Sequence, residues 1–134
     1  EYEEVDFDTL LAESDILSVH APLDENTQNL MDKDAFEKMK NTAIFLNLGR
    51  GPIVVEADLA DALEQGRIAA AGLDVITTEP VAKDNPLLTI KDSNKLIITP
   101  HVAWATYEAR TRLMDEIYLN IKAFMAGEER NVIV

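Results

Sequence analysis

The sequence predicts an α/β domain built on a parallel sheet, and three observations predict it. Strand-like and helix-like segments alternate four times along the chain, as repeated β-α-β units require. The run Ala43 to Leu48 is apolar apart from Asn47 rather than alternating, as expected of a strand with helices over both faces of its sheet. Three strand-like runs also end in a short polar stretch. These are Asn47-Leu48-Gly49-Arg50-Gly51, then Gly72-Leu73-Asp74-Val75 continuing to Glu79-Pro80, then Thr99-Pro100-His101-Val102-Ala103. Ligands of open parallel sheets bind outside the carboxyl ends of the strands. Neighbouring strands would therefore bring Arg50, Glu79 and His101 to one crevice.

Taken in order, Val5 to Ser14 reads as a short helix with Leu10 and Leu11 inward. Ile16-Leu17-Ser18-Val19 is a strand of the buried type, ended at His20-Ala21-Pro22-Leu23 because proline cannot continue an inner strand. Asp32 is placed to cap a helix over Lys33 to Lys40, with Ala35, Phe36 and Met39 at helical spacing. Ala43 to Leu48 is the second strand, and Gly49-Arg50-Gly51 its turn. Glu56 to Gln65 forms a helix with Leu59, Ala62 and Leu63 inward, stopped by Gly66. Ile68 to Val75 is the third strand, its Ala69 to Gly72 small enough for close helix packing. Thr77 to Ser93 is a loop with a helical turn near Leu87, long enough to suggest a function. Leu96 to Thr99 is the fourth strand. Thr106 can cap a final helix, Tyr107 to Ala126, closed by Gly127 and carrying the apolar stripe Leu113, Ile117, Ile121 and Phe124, widened by Met114, Tyr118 and Met125. At 1.5 Å per residue that helix is roughly 30 Å long.

The 134 residues suit a single domain, and 47% hydrophobic content is enough for a core. The net charge of -13, with no basic cluster, argues against nucleic acid and anionic membranes as partners. Without cysteine there is no disulfide and no thiolate metal site, and two histidines far apart make any metal site improbable. The acidic opening Glu1-Tyr2-Glu3-Glu4 is unlike a signal peptide, and no apolar run approaches the ~18 residues of a membrane span. The expected location is cytoplasmic.

Each polar strand end has a functional and an ordinary reading. Arg50, between two glycines, can grip a carboxylate bidentately, or be a surface arginine. His101 can exchange a proton at neutral pH, or be a merely hydrogen-bonded histidine. Glu79 is a solvated loop carboxylate unless it pairs with His101, where its charge would stabilise imidazolium. Asp74, at an apolar strand end, needs a partner: a bound ligand or a capped amide. His20 and Pro22 read equally well as a turn, and Trp104 and the last helix's stripe as core or interface.

Together the three stretches resemble the NAD-dependent D-isomer-specific 2-hydroxyacid dehydrogenases, in order and spacing, from about Val5 to the end. Gly49-Arg50-Gly51-Pro52, Gly66 to Asp74, Asp84-Asn85-Pro86-Leu87-Leu88 and His101 to Thr106 look most like the glycerate dehydrogenase, or hydroxypyruvate reductase, branch. The resemblance implies an incomplete Rossmann-like parallel sheet flanked by helices, the C-terminal part of a NAD-binding domain. It implies that Arg50 binds the substrate carboxylate, that His101 gives up or takes a proton as hydride moves, and that Glu79 pairs with that histidine. Asp74 would contact the nicotinamide carboxamide, and His20, Pro22, Leu48, Gly49 and Ala103 would line the cofactor, NAD with NADP not excluded. A small 2-keto or 2-hydroxy acid is the implied substrate, and a homodimer the implied parent.

Two departures stand out. No G-x-G-x-x-G occurs, so the dinucleotide fingerprint and most of the substrate domain are expected upstream of Glu1, and the isolated chain is expected to be nearly inert. Val55 stands where many members have aspartate. The family also includes co-repressor relatives that use the fold for nucleotide-gated binding, which leaves an assembly module as the alternative to an enzyme.

Overall fold

Four parallel strands, β1 (Ile16–Val19), β2 (Ile44–Asn47), β3 (Ala70–Leu73) and β4 (Leu96–Ile98), stand side by side in chain order. They belong to a computed structural model that describes residues 3–133, so Glu1 and Tyr2 of the acidic opening lie outside the described residues. The chain divides into two compact units, one up to His101 and one from Val102.

In the first unit, α1 (Phe7–Glu13) leads into β1, and α2 (Lys33–Lys38) and α3 (Glu56–Glu64) connect β1 to β2 and β2 to β3. Asp6 caps α1 by accepting from the Thr9 amide, which starts the helix two residues later than Val5, and Asp32 caps α2 by accepting from the Ala35 amide. α3 ends where Gly66 turns left-handed at φ +67°, letting the Arg67 amide donate back to the Ala62 carbonyl. Leu11, Phe36, Phe45, Leu59, Leu63 and Ile68 are fully buried. Phe36 meets Phe45 edge to face at 5.4 Å, a geometry worth about 0.5–1.5 kcal/mol beyond its buried area.

The sheet is covered differently from expectation. Register aligns Leu17, Phe45, Ala71 and Leu96 in one row and Ile16, Ile44 and Ala70 in the next. Leu17, Phe45 and Ala71 are buried, whereas Ile16 is 62% exposed and Ile97, on the same face, 67%. The cause is topological. Crossovers between parallel strands are right-handed, so strands laid down in the order 1-2-3-4 send every connecting helix to the same face. Ile16 and Ile97 lie on the face that those helices leave uncovered. The short α1 likewise turns Leu11 inward but leaves Leu10 42% exposed. Strand β3 is four residues rather than eight, and the space above Gly72 is taken by the Leu46 side chain rather than by a helix.

The second unit contains α4 (Tyr107–Ala126), with the expected bounds. Thr106 accepts from the Ala109 amide at its start, and Gly127, at φ +72°, lets the Glu128 amide close onto the Ala123 carbonyl. Its apolar stripe is not core: Phe124 is 85% and Leu113 54% exposed, and Ala123 is the helix's buried residue. Among the described residues no helix is long and apolar enough to cross a membrane.

Candidate functional site

All four strands point the same way, so the segments that follow them share one edge of the sheet. After β2, the turn is shaped by Asn47, which is 1% exposed. Its side-chain oxygen accepts from the Gly49 amide and its Nδ2 donates to the Arg50 carbonyl. A buried amide with both ends satisfied fixes the backbone on either side of Arg50. The Arg50 side chain is exposed, and its Nη1 donates to the Gly49 carbonyl at 2.8 Å. Gly49 must itself lack a side chain, since a Cβ there would meet the Ala21 carbonyl at 2.9 Å.

Asp74 follows β3 and is 4% exposed. One partner is a residue that local sequence did not suggest: the Thr99 hydroxyl, beyond β4, donates to Asp74 Oδ1 at 2.5 Å. The chain then turns sharply at His101, whose φ of +56° is left-handed. A side chain in that region costs on the order of 1–2 kcal/mol. The His101 amide donates to the Asp74 and Thr99 carbonyls at 2.9 and 3.0 Å, which offsets the strain and sets the direction of the ring.

That direction carries His101 Nδ1 to 2.9 Å from Glu79 Oε2. The other Glu79 oxygen accepts from the Ile76 amide at 3.3 Å. Facing a carboxylate, Nδ1 is the donor. The hydrogen bond from His101 holds the Glu79 carboxyl below its ordinary value of 4.5; desolvation and Asp74 oppose this, and the Ile76 amide assists it. The depressed value means that Glu79's contribution to the folded form is complete above pH 4.5 and is lost as pH falls through the lowered value. The Glu79 carboxyl carbon, followed by NMR, is expected to titrate below 4.5; a midpoint at or above it would contradict the pairing.

Two hollows open along this edge of the sheet. One, of about 490 Å³, is lined by Asp74, Ile76, Glu79, Val81, Ile98, Thr99 and His101, and so lies beyond β3 and β4. The other, of about 500 Å³, is lined by His20, Ala21, Pro22, Leu48, Gly49 and Arg50, beyond β1 and β2. Asp74, Glu79 and His101 are thus together, as are His20, Pro22, Leu48, Gly49 and Arg50, but Arg50 lines a different hollow from the Glu79–His101 pair. The two neighbouring loops touch where Gly51 packs on the backbone of Ile76 and Thr77. Ala103 belongs to the second unit, ahead of α4. Sequence reasoning assigned nothing to Asn47 or Thr99. Asn47 had a legible signal, a polar residue in an apolar run, whereas Thr99 is paired across 25 residues and had none.

Comparison with known proteins extends this picture. The family model for the D-isomer specific 2-hydroxyacid dehydrogenase NAD binding domain matches residues 1–103. The chain is 48% identical over 129 residues to a hydroxypyruvate reductase of Blautia hydrogenotrophica, covering 96% of this chain and 39% of that protein. It is 44% identical over 129 residues to a glycerate dehydrogenase of Methylorubrum extorquens, covering 96% and 41%. Among solved structures, an acyclic imino acid reductase in complex with NADPH and D-Arg superposes with a TM-score of 0.83 at 37% identity, over 97% of this chain and 40% of that one. The sheet with its flanking helices is accordingly Rossmann-like. The chain spans about two fifths of the length of these proteins.

Proposed function

The chain belongs to the NAD-binding-domain family of the D-isomer specific 2-hydroxyacid dehydrogenases, and from that premise we propose that it is the C-terminal part of a hydroxypyruvate or glyoxylate reductase. Its parent moves hydride between NAD(P)H and a small 2-keto acid, giving D-glycerate or glycolate. The observation that carries the reading is the Glu79–His101 pair beside buried Asp74 at the strand-end edge that also bears Arg50.

The hollow beyond β3 and β4 suits the nicotinamide end of a dinucleotide. Ile76, Val81 and Ile98 give its lining apolar surface for a ring, and Asp74 with Thr99 offers hydrogen-bonding atoms for a carboxamide. His20, Pro22, Leu48 and Gly49 are the further cofactor-lining candidates. No G-x-G-x-x-G is present in these residues to cradle the pyrophosphate. When bound, the cofactor supplies the hydride.

The chain's own residues do the rest. Arg50 grips the substrate carboxylate through its planar pair of donors. His101, with Nδ1 donating to Glu79, gives the Nε2 proton to the developing alkoxide and takes it back in the oxidation direction. Glu79 orients the ring and stabilises the imidazolium. The same reading makes the parent a cytoplasmic homodimer.

Trp104 is three residues past His101, no more than about 11 Å along an extended chain. Titrating the 134-residue chain with NADH is expected to give saturable energy transfer from Trp104. In the parent, Arg50→Gln is expected to raise KM for hydroxypyruvate by about 10- to 100-fold, the value of a charged hydrogen bond or two, with the smaller effect on kcat. A parent that binds NADH and captures protein partners but reduces no 2-keto acid would favour the assembly module instead.

A further inference from the structure

We propose that Glu56, the first residue of α3, is the positioning residue of the Glu79–His101 pair. One carboxylate pins the Glu79 loop at two points. Glu56 Oε1 accepts from the Thr77 amide at 2.6 Å, and Oε2 accepts from Asn85 Nδ2 at 2.8 Å. Thr77 lies two residues before Glu79 and Asn85 six after it, so the acid that meets His101 hangs between two anchors on one rigid helix end.

The chain of donors has a direction. The Leu87 amide donates to Asn85 Oδ1, which fixes the orientation of the Asn85 amide and turns its NH2 group toward Glu56. Asn85 is 7% exposed, so its bonds are not freely exchanged for water. Two N–H donors therefore converge on residue 56, and only a group that accepts at both ends serves them. Glutamine does not: one end of its amide is a donor, and it would oppose either the Thr77 amide or Asn85 Nδ2. The backbone of Ile76 and Thr77 also lies against Gly51, a further contact that holds the start of the loop.

The consequence for turnover rests on the reading above; the positioning itself does not, and it is tested without turnover. In the 134-residue chain, the Glu79 carboxyl carbon is identified as the signal lost in Glu79→Gln. Its midpoint is expected to sit below the ordinary 4.5 in the native chain and to return toward it in Glu56→Gln. The double variant Glu56→Gln/Asn85→Asp should restore the low midpoint. Its aspartate accepts from both the Leu87 amide and the new glutamine NH2, and the glutamine oxygen accepts from Thr77. In the parent, Glu56→Gln is expected to lower kcat by up to about 100-fold, the effect of a misplaced catalytic group, with KM for the keto acid unchanged and recovery in the double variant. A folded Glu56→Gln chain whose Glu79 midpoint is unmoved overturns the proposal, as does a folded double variant that fails to restore it. Should neither variant fold, hydrogen exchange on the native chain decides: the Thr77 amide is expected to be protected, and exchange as fast as an open loop amide overturns the assignment.

Discussion

Replacing His101 by alanine in the full-length parent is expected to lower kcat for hydroxypyruvate reduction by about 10²- to 10⁴-fold, the range for loss of a positioned general acid. KM should change far less, because on the proposed reading the substrate carboxylate is gripped by a different side chain, Arg50. Alanine alone leaves an ambiguity. His101 sits at φ +56°, where alanine costs on the order of 1–2 kcal/mol, so part of any loss could come from a relaxed loop. His101→Asn removes that ambiguity, since asparagine tolerates the left-handed region and still hydrogen-bonds but cannot pass a proton. Both variants should fall to the same low kcat in a spectrophotometric assay of NADH loss. Turnover left intact in either would mean that the proton comes from elsewhere.

The parts of the molecule legible from sequence are those decided within one turn or one repeat. Asp32 and Thr106 cap α2 and α4 as expected, Gly66 and Gly127 stop α3 and α4, and Leu59, Ala62 and Leu63 are buried as their spacing requires. What was not legible is decided by the order of the strands. Nothing in Ile16-Leu17-Ser18-Val19 says which face the helices will cover, yet the 1-2-3-4 order leaves Ile16 exposed. The site divides in the same way. Asn47, a polar residue inside an apolar run, announces its turn. The Asp74–Thr99 bond joins residues 25 apart and the Glu56–Asn85 bond residues 29 apart. Neither Thr99 nor Asn85 differs locally from a common strand-end or turn residue. The Glu79–His101 pair, 22 apart, was legible as a possibility from the strand-end rule and as an expectation once three motifs in register pointed to a known arrangement.

Gly51→Ala is expected to be the most damaging substitution outside the residues that meet substrate. A Cβ at this position would lie 2.0 Å from the Ile76 carbonyl carbon, 2.1 Å from its oxygen and 2.4 Å from the Thr77 nitrogen. All three are backbone atoms and no rotamer relieves the overlap, so the two loops must part. Overpacking of this kind costs about 1–3 kcal/mol, which should lower Tm by on the order of 10 °C. The movement also falls where the site is least tolerant. Ile76 and Thr77 supply the amides that Glu79 and Glu56 accept, so parting the loops loosens both carboxylates at once. Gly72→Ala is the matched comparison. Its Cβ meets only the Leu46 Cδ2 methyl, at 2.9 Å, and a flexible side chain can swing away, so its Tm should fall less. Equal Tm values for Gly51→Ala and the native chain, read by circular dichroism, would show that the loops are not in close contact. The link between the Arg50 turn and the Glu79 loop would then have no physical basis.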